Sequence, residues 1–216
     1  MTTIPGRCRI DLGSYPRADI FRAFVDRPMP QFSTTCEVEL TGVRRASAAA
    51  ERSFFVALTY AVSHAVNGVA PFRHRVIDGE LYEFDRVDPG YTVAREGDLF
   101  SFCDSTHFDD FGSYYDHALK RIEAVKRQPD LTTGDKHHMF FITSVPWINF
   151  TAFTQPYEPR YAYIPVITLG KLVERAGVAH MPVAVQVHHG VMDGVHVGRF
   201  YERLAELNQN AEAWLR

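Results

Sequence analysis

Met181-Pro-Val-Ala-Val-Gln-Val-His-His-Gly-Val-Met-Asp-Gly-Val-His-Val197 is the stretch around which the rest of the chain can be arranged. Val183, Val185 and Val187 alternate with Ala184 and Gln186, the period of a β-strand, and the run stops at a histidine pair. Asp193-Gly194 follows closely enough to turn the chain into an amphipathic stretch from Val195 to Leu215. His188 and His189 are thereby expected at a strand end, ahead of a helix.

Imidazole is the side chain whose ordinary pKa lets it take and return a proton near neutrality, so His189 with Asp193 four residues on is a candidate general base and its carboxylate partner. A lone strand histidine is more often a hydrogen-bonded structural group; the full cluster of His188, His189, Asp193 and His196 makes a stronger case. Read as a metal site, the same cluster is weak, because neighbouring strand residues face opposite ways and the paired histidines would not share one ion.

The segment Gln186 to Arg199 resembles the active-site signature of the type A chloramphenicol acetyltransferases. A shorter His-His-x-x-x-Asp-Gly form is shared with the catalytic domains of dihydrolipoyl acyltransferases. The resemblance implies that His189 is the general base and that Asp193 is structural. Tyr15-Pro16-Arg17-x-x-x-Phe21-x-x-Phe24 resembles the family's N-terminal element, with Tyr15 where tryptophan is usual, and implies that Arg17 pairs with Asp193. A planar guanidinium can hold a carboxylate through two parallel hydrogen bonds, so a bidentate pair is expected.

Phe140 to Phe153 reads on composition as a buried strand broken by Pro146. It resembles the family's Phe-Phe-x-Ser-x-x-Pro-Trp-x-x-Phe segment, whose serine stabilises the oxyanion. That serine falls on Thr143, with Ser144 beside it as the alternative, and strand alternation lets only one of the two face the site. Tyr163 to Lys171 resembles a further family element in which Thr168 matches a threonine that binds water near the intermediate. By position, Phe24 and Phe100 are candidates for an aromatic acceptor pocket, with core packing an equal alternative.

A chain of 216 residues, 46% hydrophobic and 13% aromatic, can bury one substantial core, and no linker or repeat divides it, so residues 1–216 are expected to form a single domain, which the resemblance implies is an acetyltransferase domain. A formal net charge of −3 argues against a nucleic-acid or anionic-membrane binder. The N-terminus lacks a charged n-region followed by an apolar h-region, and no apolar run approaches bilayer length; a cytoplasmic protein without a membrane anchor is expected. Cys8, Cys36 and Cys103, odd in number and widely spaced, fit reduced thiols.

Further elements follow from local pattern. A helix starts near Pro16 or Arg17 and ends before Pro28-Met-Pro30, Phe32 to Leu40 alternates as a strand, and Val43 to Val69 reads as one helix. Arg73 to Phe84 reads as a hairpin turning at Asp78-Gly79, and Phe111 to Val125 as a helix. The polar Asp130 to His138 stretch is the best candidate for a mobile surface loop, with His137 and His138 as loop residues. The mixed element order favours an α/β fold, a two-layer sandwich of a mixed, largely antiparallel sheet with helices packed on it.

The resemblance, spanning Arg17 to Arg199, carries the same fold. It implies direct acetyl transfer from acetyl-CoA as co-substrate to a small-molecule hydroxyl acceptor, chloramphenicol foremost, without a metal. It also implies a homotrimer with active sites at subunit interfaces. Another hydroxyl acceptor on the same fold is the alternative, and the stretch Asp26 to Phe32, with Met29-Pro30-Gln31 unlike the family's usual residues, bears on that choice.

Overall fold

The computed structural model describes residues 4–215. The elements fall in the order β1 (Arg7–Arg9), α1 (Ala18–Val25), β2 (Gln31–Glu39), α2 (Thr41–Ala49), α3 (Phe54–Asn67), β3 (His74–Ile77), β4 (Glu80–Phe84), β5 (Asp88–Arg95) and β6 (Leu99–Asp104). They continue with α4 (Phe111–Arg127), β7 (Met139–Ser144), β8 (Val166–Leu169), β9 (Val173–Arg175), β10 (Val178–His188), α5 (Gly194–Gln209) and α6 (Ala211–Trp214).

The main sheet runs β2-β10-β8-β7-β5-β6, with β9 also paired to β10. Only the β5–β7 and β7–β8 pairs are parallel, so the sheet is mixed and mostly antiparallel. A second, small sheet has the order β1-β4-β3. Its β3–β4 hairpin turns at Asp78 and Gly79, both at positive φ (52° and 80°), as a two-residue hairpin demands.

Alternation sorts the strands into two faces. Val183, Val185 and Val187 of β10, Ile167 and Leu169 of β8, and Phe140 and Ile142 of β7 meet Leu58, Val62 and Val66 of α3 and Val197, Phe200 and Leu204 of α5 in one apolar cluster. The opposite face presents Gln31 and Ser33 of β2, Gln186 of β10, Thr143 of β7 and Thr92 of β5, and among the described residues no α-helix covers it. β10 is nonetheless buried on both faces from Met181 to His188, because the irregular segment around Phe153 to Tyr163 folds over its polar side.

Several expectations need correction. The single helix from Val43 to Val69 is two, because Glu51 takes a left-handed φ of 53° and Ser53 caps a new start by accepting the Val56 N–H. The stretch from Val195 to Leu215 likewise breaks at Asn210 between α5 and α6. β7 ends at Ser144, and beyond Pro146 the chain surfaces, leaving Trp147 74% and Ile148 53% exposed. The Asp130 to His138 segment is irregular but tethered: Asp130 exchanges hydrogen bonds with Ser101, Gly134 does so with the Tyr161 hydroxyl, and Arg75 holds the His137 carbonyl. The expectation of reduced thiols holds: Cys8, Cys36 and Cys103 are free, and burial pushes Cys103 up to about 11.

Candidate active site

β10 delivers the histidine pair to a point where three elements meet. The His189 backbone N–H donates to the Pro30 carbonyl at 2.9 Å, fixing the strand end to the start of β2. The N–H groups of Val191 and Met192 both reach the His188 carbonyl, closing a tight turn whose apolar residues are fully buried. Gly190 sits where a Cβ would come within 3.1 Å of the His188 ring, which explains a glycine in that turn.

The two imidazoles have different surroundings. His188 is 2% exposed, stacks on Tyr163 with ring centroids 4.0 Å apart, and accepts the Gly190 N–H on Nδ1 at 3.0 Å. Burial, helped by repulsion from His189, pushes it down to about 4, so it is neutral at physiological pH. His189 is half-buried; its ring lies parallel to Phe24 at 4.0 Å and tilted against Phe32 at 5.0 Å. The Arg27 guanidinium lies 4.0 Å from the Phe24 centroid, so Phe24 is sandwiched between Arg27 and His189. His189 Nδ1 is enclosed without a hydrogen-bond partner.

Asp193 occupies the N-cap position of α5, and its backbone N–H donates to His196 Nδ1 at 3.1 Å. Arg17, at the foot of α1, donates from Nη1 to Asp193 Oδ2. The pair forms through one contact and not the expected bidentate fork, since Arg17 Nε and Nη2 are buried without partners. Burial alone would raise the Asp193 pKa, and the Arg17 hydrogen bond and charge outweigh it, so the carboxyl is held below its usual range. α1 and α5 are thus cross-linked beside the turn that carries His189.

Thr143 lies elsewhere. It aligns with Thr168 across the parallel β7–β8 pair, and Thr168 aligns with Ala184 of β10. Its side faces the helix-free surface, where a cavity of about 250 Å³ opens between Thr143, Phe102, Tyr161, Gln155 and Gln186. Ser144 alternates to the helix-covered face beside Ile142 and Leu169. Thr168, 2% exposed, accepts from Gln155 Nε2 at 3.0 Å. His189 stands five residues beyond Ala184 on β10 and two strands from Thr143, a separation of about 19 Å at ordinary strand dimensions. One chain therefore does not bring Thr143 and His189 to the same atom.

Phe100 is 50% exposed with its ring 5.8 Å from Phe102, and Phe102, not Phe100, borders the cavity. Sequence reasoning missed the amide chain on the cavity floor. Gln186 Nε2 donates to Gln31 Oε1 at 2.8 Å, Gln31 Nε2 to the Ala162 carbonyl at 2.9 Å, and the Gln155 backbone N–H to Gln186 Oε1 at 2.7 Å. The available signal was Gln186 itself, a polar residue amid valines. Among the described residues no three His, Cys, Asp or Glu converge as a metal-ligand group, and no helix is long and apolar enough to cross a membrane.

Known proteins resemble the chain in both sequence and fold. A family model described as chloramphenicol acetyltransferase matches residues 7–205. A Clostridium perfringens chloramphenicol acetyltransferase is 30% identical, covering 95% of this chain and 96% of its own, and one from Escherichia coli is 31% identical, covering 98% and 96%. A solved chloramphenicol acetyltransferase structure superposes with a TM-score of 0.84 at 30% identity over 93% of this chain and 99% of that one. With the family matched over nearly the whole length in both sequence and structure, the chain belongs to the chloramphenicol acetyltransferase family.

Proposed function

We propose that this protein transfers the acetyl group of acetyl-CoA to a hydroxyl of chloramphenicol within one ternary complex, with His189 as general base. Its Nδ1 is the enclosed nitrogen, so Nε2 is the one that meets substrate. His189 removes the acceptor's hydroxyl proton as the oxygen attacks the thioester carbonyl carbon. The Thr143 hydroxyl donates to the oxyanion of the tetrahedral intermediate, where one such donor contributes roughly 2.7 to 4 kcal/mol. Collapse breaks the carbon–sulfur bond, and His189 returns the proton to the departing thiolate, so no covalent acyl-enzyme forms. Asp193, held by Arg17, fixes the loop geometry and takes no proton.

The separation of about 19 Å between His189 and Thr143 supports a site shared between chains, His189 from one and Thr143 with its cavity from the next. We accordingly propose a cyclic homotrimer with three such interfaces, working in the cytoplasm where acetyl-CoA is held and conferring chloramphenicol resistance. The observation that carries the chemical reading is His189: a family-signature histidine clamped by Phe24 and Phe32, with one nitrogen enclosed and the other left for chemistry. The test is thiol release from acetyl-CoA with chloramphenicol and a panel of other alcohols. Activity with chloramphenicol is expected, and His189→Ala should lose it without unfolding; turnover within roughly tenfold of wild type, about 1.4 kcal/mol of barrier, would sink the base assignment.

A further inference from the structure

The cavity beside Thr143 carries a charged pair that neither the signature nor the fold requires. Lys136, in the tethered Asp130 to His138 segment, donates to Asp104 Oδ2 at the end of β6, and both side chains border the cavity. The Lys136 side chain is 17% exposed and that of Asp104 35%, so the pair stands at a wall largely withdrawn from water. Both ends are held. Gly134 exchanges hydrogen bonds with the Tyr161 hydroxyl two residues before Lys136, the Met139 N–H binds the Lys136 carbonyl, and the Asp104 carbonyl accepts from Arg121 at 2.9 Å.

Register places this pair at the far end of the cavity from the proposed oxyanion donor. Asp104 aligns with Gly90, and Gly90 with Phe141, two residues before Thr143, so the Asp104 and Thr143 Cα atoms lie about 12 Å apart. An ammonium has three N–H donors and no acceptor. One goes to Asp104, and among the described residues the other two have no acceptor. Apolar matter placed against the pair would strip its water and return nothing, whereas a hydrogen-bond acceptor would take up a spare N–H. An anion would meet Asp104 and, at the rim, Glu158 as well, two carboxylates against one ammonium.

We infer that Lys136 is a specificity-determining residue: it selects hydroxyl acceptors whose end remote from the reacting hydroxyl carries a neutral hydrogen-bond-accepting group, such as an aryl nitro or sulfonyl. The inference rests on the acetyl-transfer reading for its assay and on the cavity for its substance. Asp104 is the positioning partner that keeps the ammonium at the wall.

The experiment compares kcat/KM for chloramphenicol and for its analogue with hydrogen in place of the nitro group, in wild type, Lys136→Met, Lys136→Arg and the double variant Asp104→Asn/Lys136→Met. Wild type should prefer the nitro compound by roughly tenfold or more, the range of a hydrogen bond from a charged donor. The preference should collapse toward unity in Lys136→Met, persist in Lys136→Arg, and change through the acceptor's KM with the acetyl-CoA KM unmoved. The double variant removes both charges together, so its loss of preference cannot be laid to a stranded Asp104 carboxylate. An equal preference in wild type and the methionine variants overturns the inference. Absence of thiol release with either acceptor counts instead against acetyl transfer. Calorimetric affinities of the same two compounds then decide the question, a nitro preference lost with Lys136 supporting the inference and an unchanged ratio refuting it.

Discussion

If His189 and Thr143 act on one carbonyl from two different chains, two dead enzymes should make a live one. His189→Ala removes the proposed base, a loss of roughly 10²- to 10⁴-fold, and Thr143→Ala removes the proposed oxyanion donor, a loss of roughly 10²- to 10³-fold. Each homogeneous variant is then close to silent. Unfolded together in equal amounts and refolded, they assemble at random, and a site is intact only where a Thr143→Ala chain supplies His189 to a His189→Ala neighbour that supplies Thr143. In a ring with one handed contact per neighbour, that combination occurs at about a quarter of sites, so the mixture should recover about a quarter of wild-type turnover. Random pairing sets this figure, and the geometry demands the exchange: the strands place the two residues about 19 Å apart within a chain, and neither side chain spans that gap. The assay is thiol release, with differently tagged variants so that mixed assemblies can be captured and counted. Mixed assemblies no more active than the average of their parents would refute the shared site.

The assignment of Thr143 over Ser144 predicts that Thr143→Ala lowers kcat with little change in the acetyl-CoA KM, while Ser144→Ala does little and Thr143→Ser retains activity; the opposite ranking would move the role by one residue. Arg17→Ala and Asp193→Asn each leave a partly buried charge unpaired, at about 3 kcal/mol, which for a chain of this size lowers Tm by roughly 6 to 12 °C and activity with it; calorimetric melting of both at wild-type temperature would show that the pair holds nothing. His188, at about 4 when folded and 6.5 when free, binds protons more weakly in the folded state, so stability is full above pH 6.5 and is lost as pH falls toward 4. That loss amounts to about 2 kcal/mol by pH 5, and His188→Gln should remove it from the fall of unfolding free energy between pH 6.5 and 5; an unchanged fall would clear His188.

Where the sequence could be read, local chemistry and a neighbour in the fold agreed. Ser53 and Glu51 mark the opposite case: the alanine-rich run around Ala48 to Ala50 has the propensity of one long helix, and the break depends on a single left-handed residue and one hydroxyl cap that propensity does not register. The His188-His189 turn was legible because valine alternation, paired histidines and Asp193-Gly194 lie within a dozen residues. Arg17 lies 176 positions from Asp193, and only the resemblance brought them together. The single contact they make follows from the meeting of α1 and the N-cap of α5, a matter of packing that no spacing encodes.

The cavity was the least legible part, and its chemistry explains why. Its floor is a relay of amides from Gln31 through Gln186 to Gln155, and its far wall an ion pair between the end of β6 and a tethered loop. Apart from Gln186, which stands out as a polar residue amid valines, each of these residues taken alone reads as a solvated surface group. Gln186 is 6% exposed only because Phe153 to Tyr163 folds across β10, and that cover depends on Ser33 binding the Phe153 carbonyl and on Tyr163 stacking on His188. Groups that carry a reaction recur in short motifs because the reaction fixes their relative positions. Groups that choose the acceptor need only share a cavity, and here residues of β2, β5, β6, β7, β8 and β10 and of two connecting segments line it. The same division separates the two kinds of test: substitutions at His189 or Thr143 should change turnover for every acceptor alike, whereas those at Lys136 or Asp104 should reorder the acceptors and leave the chemistry in place.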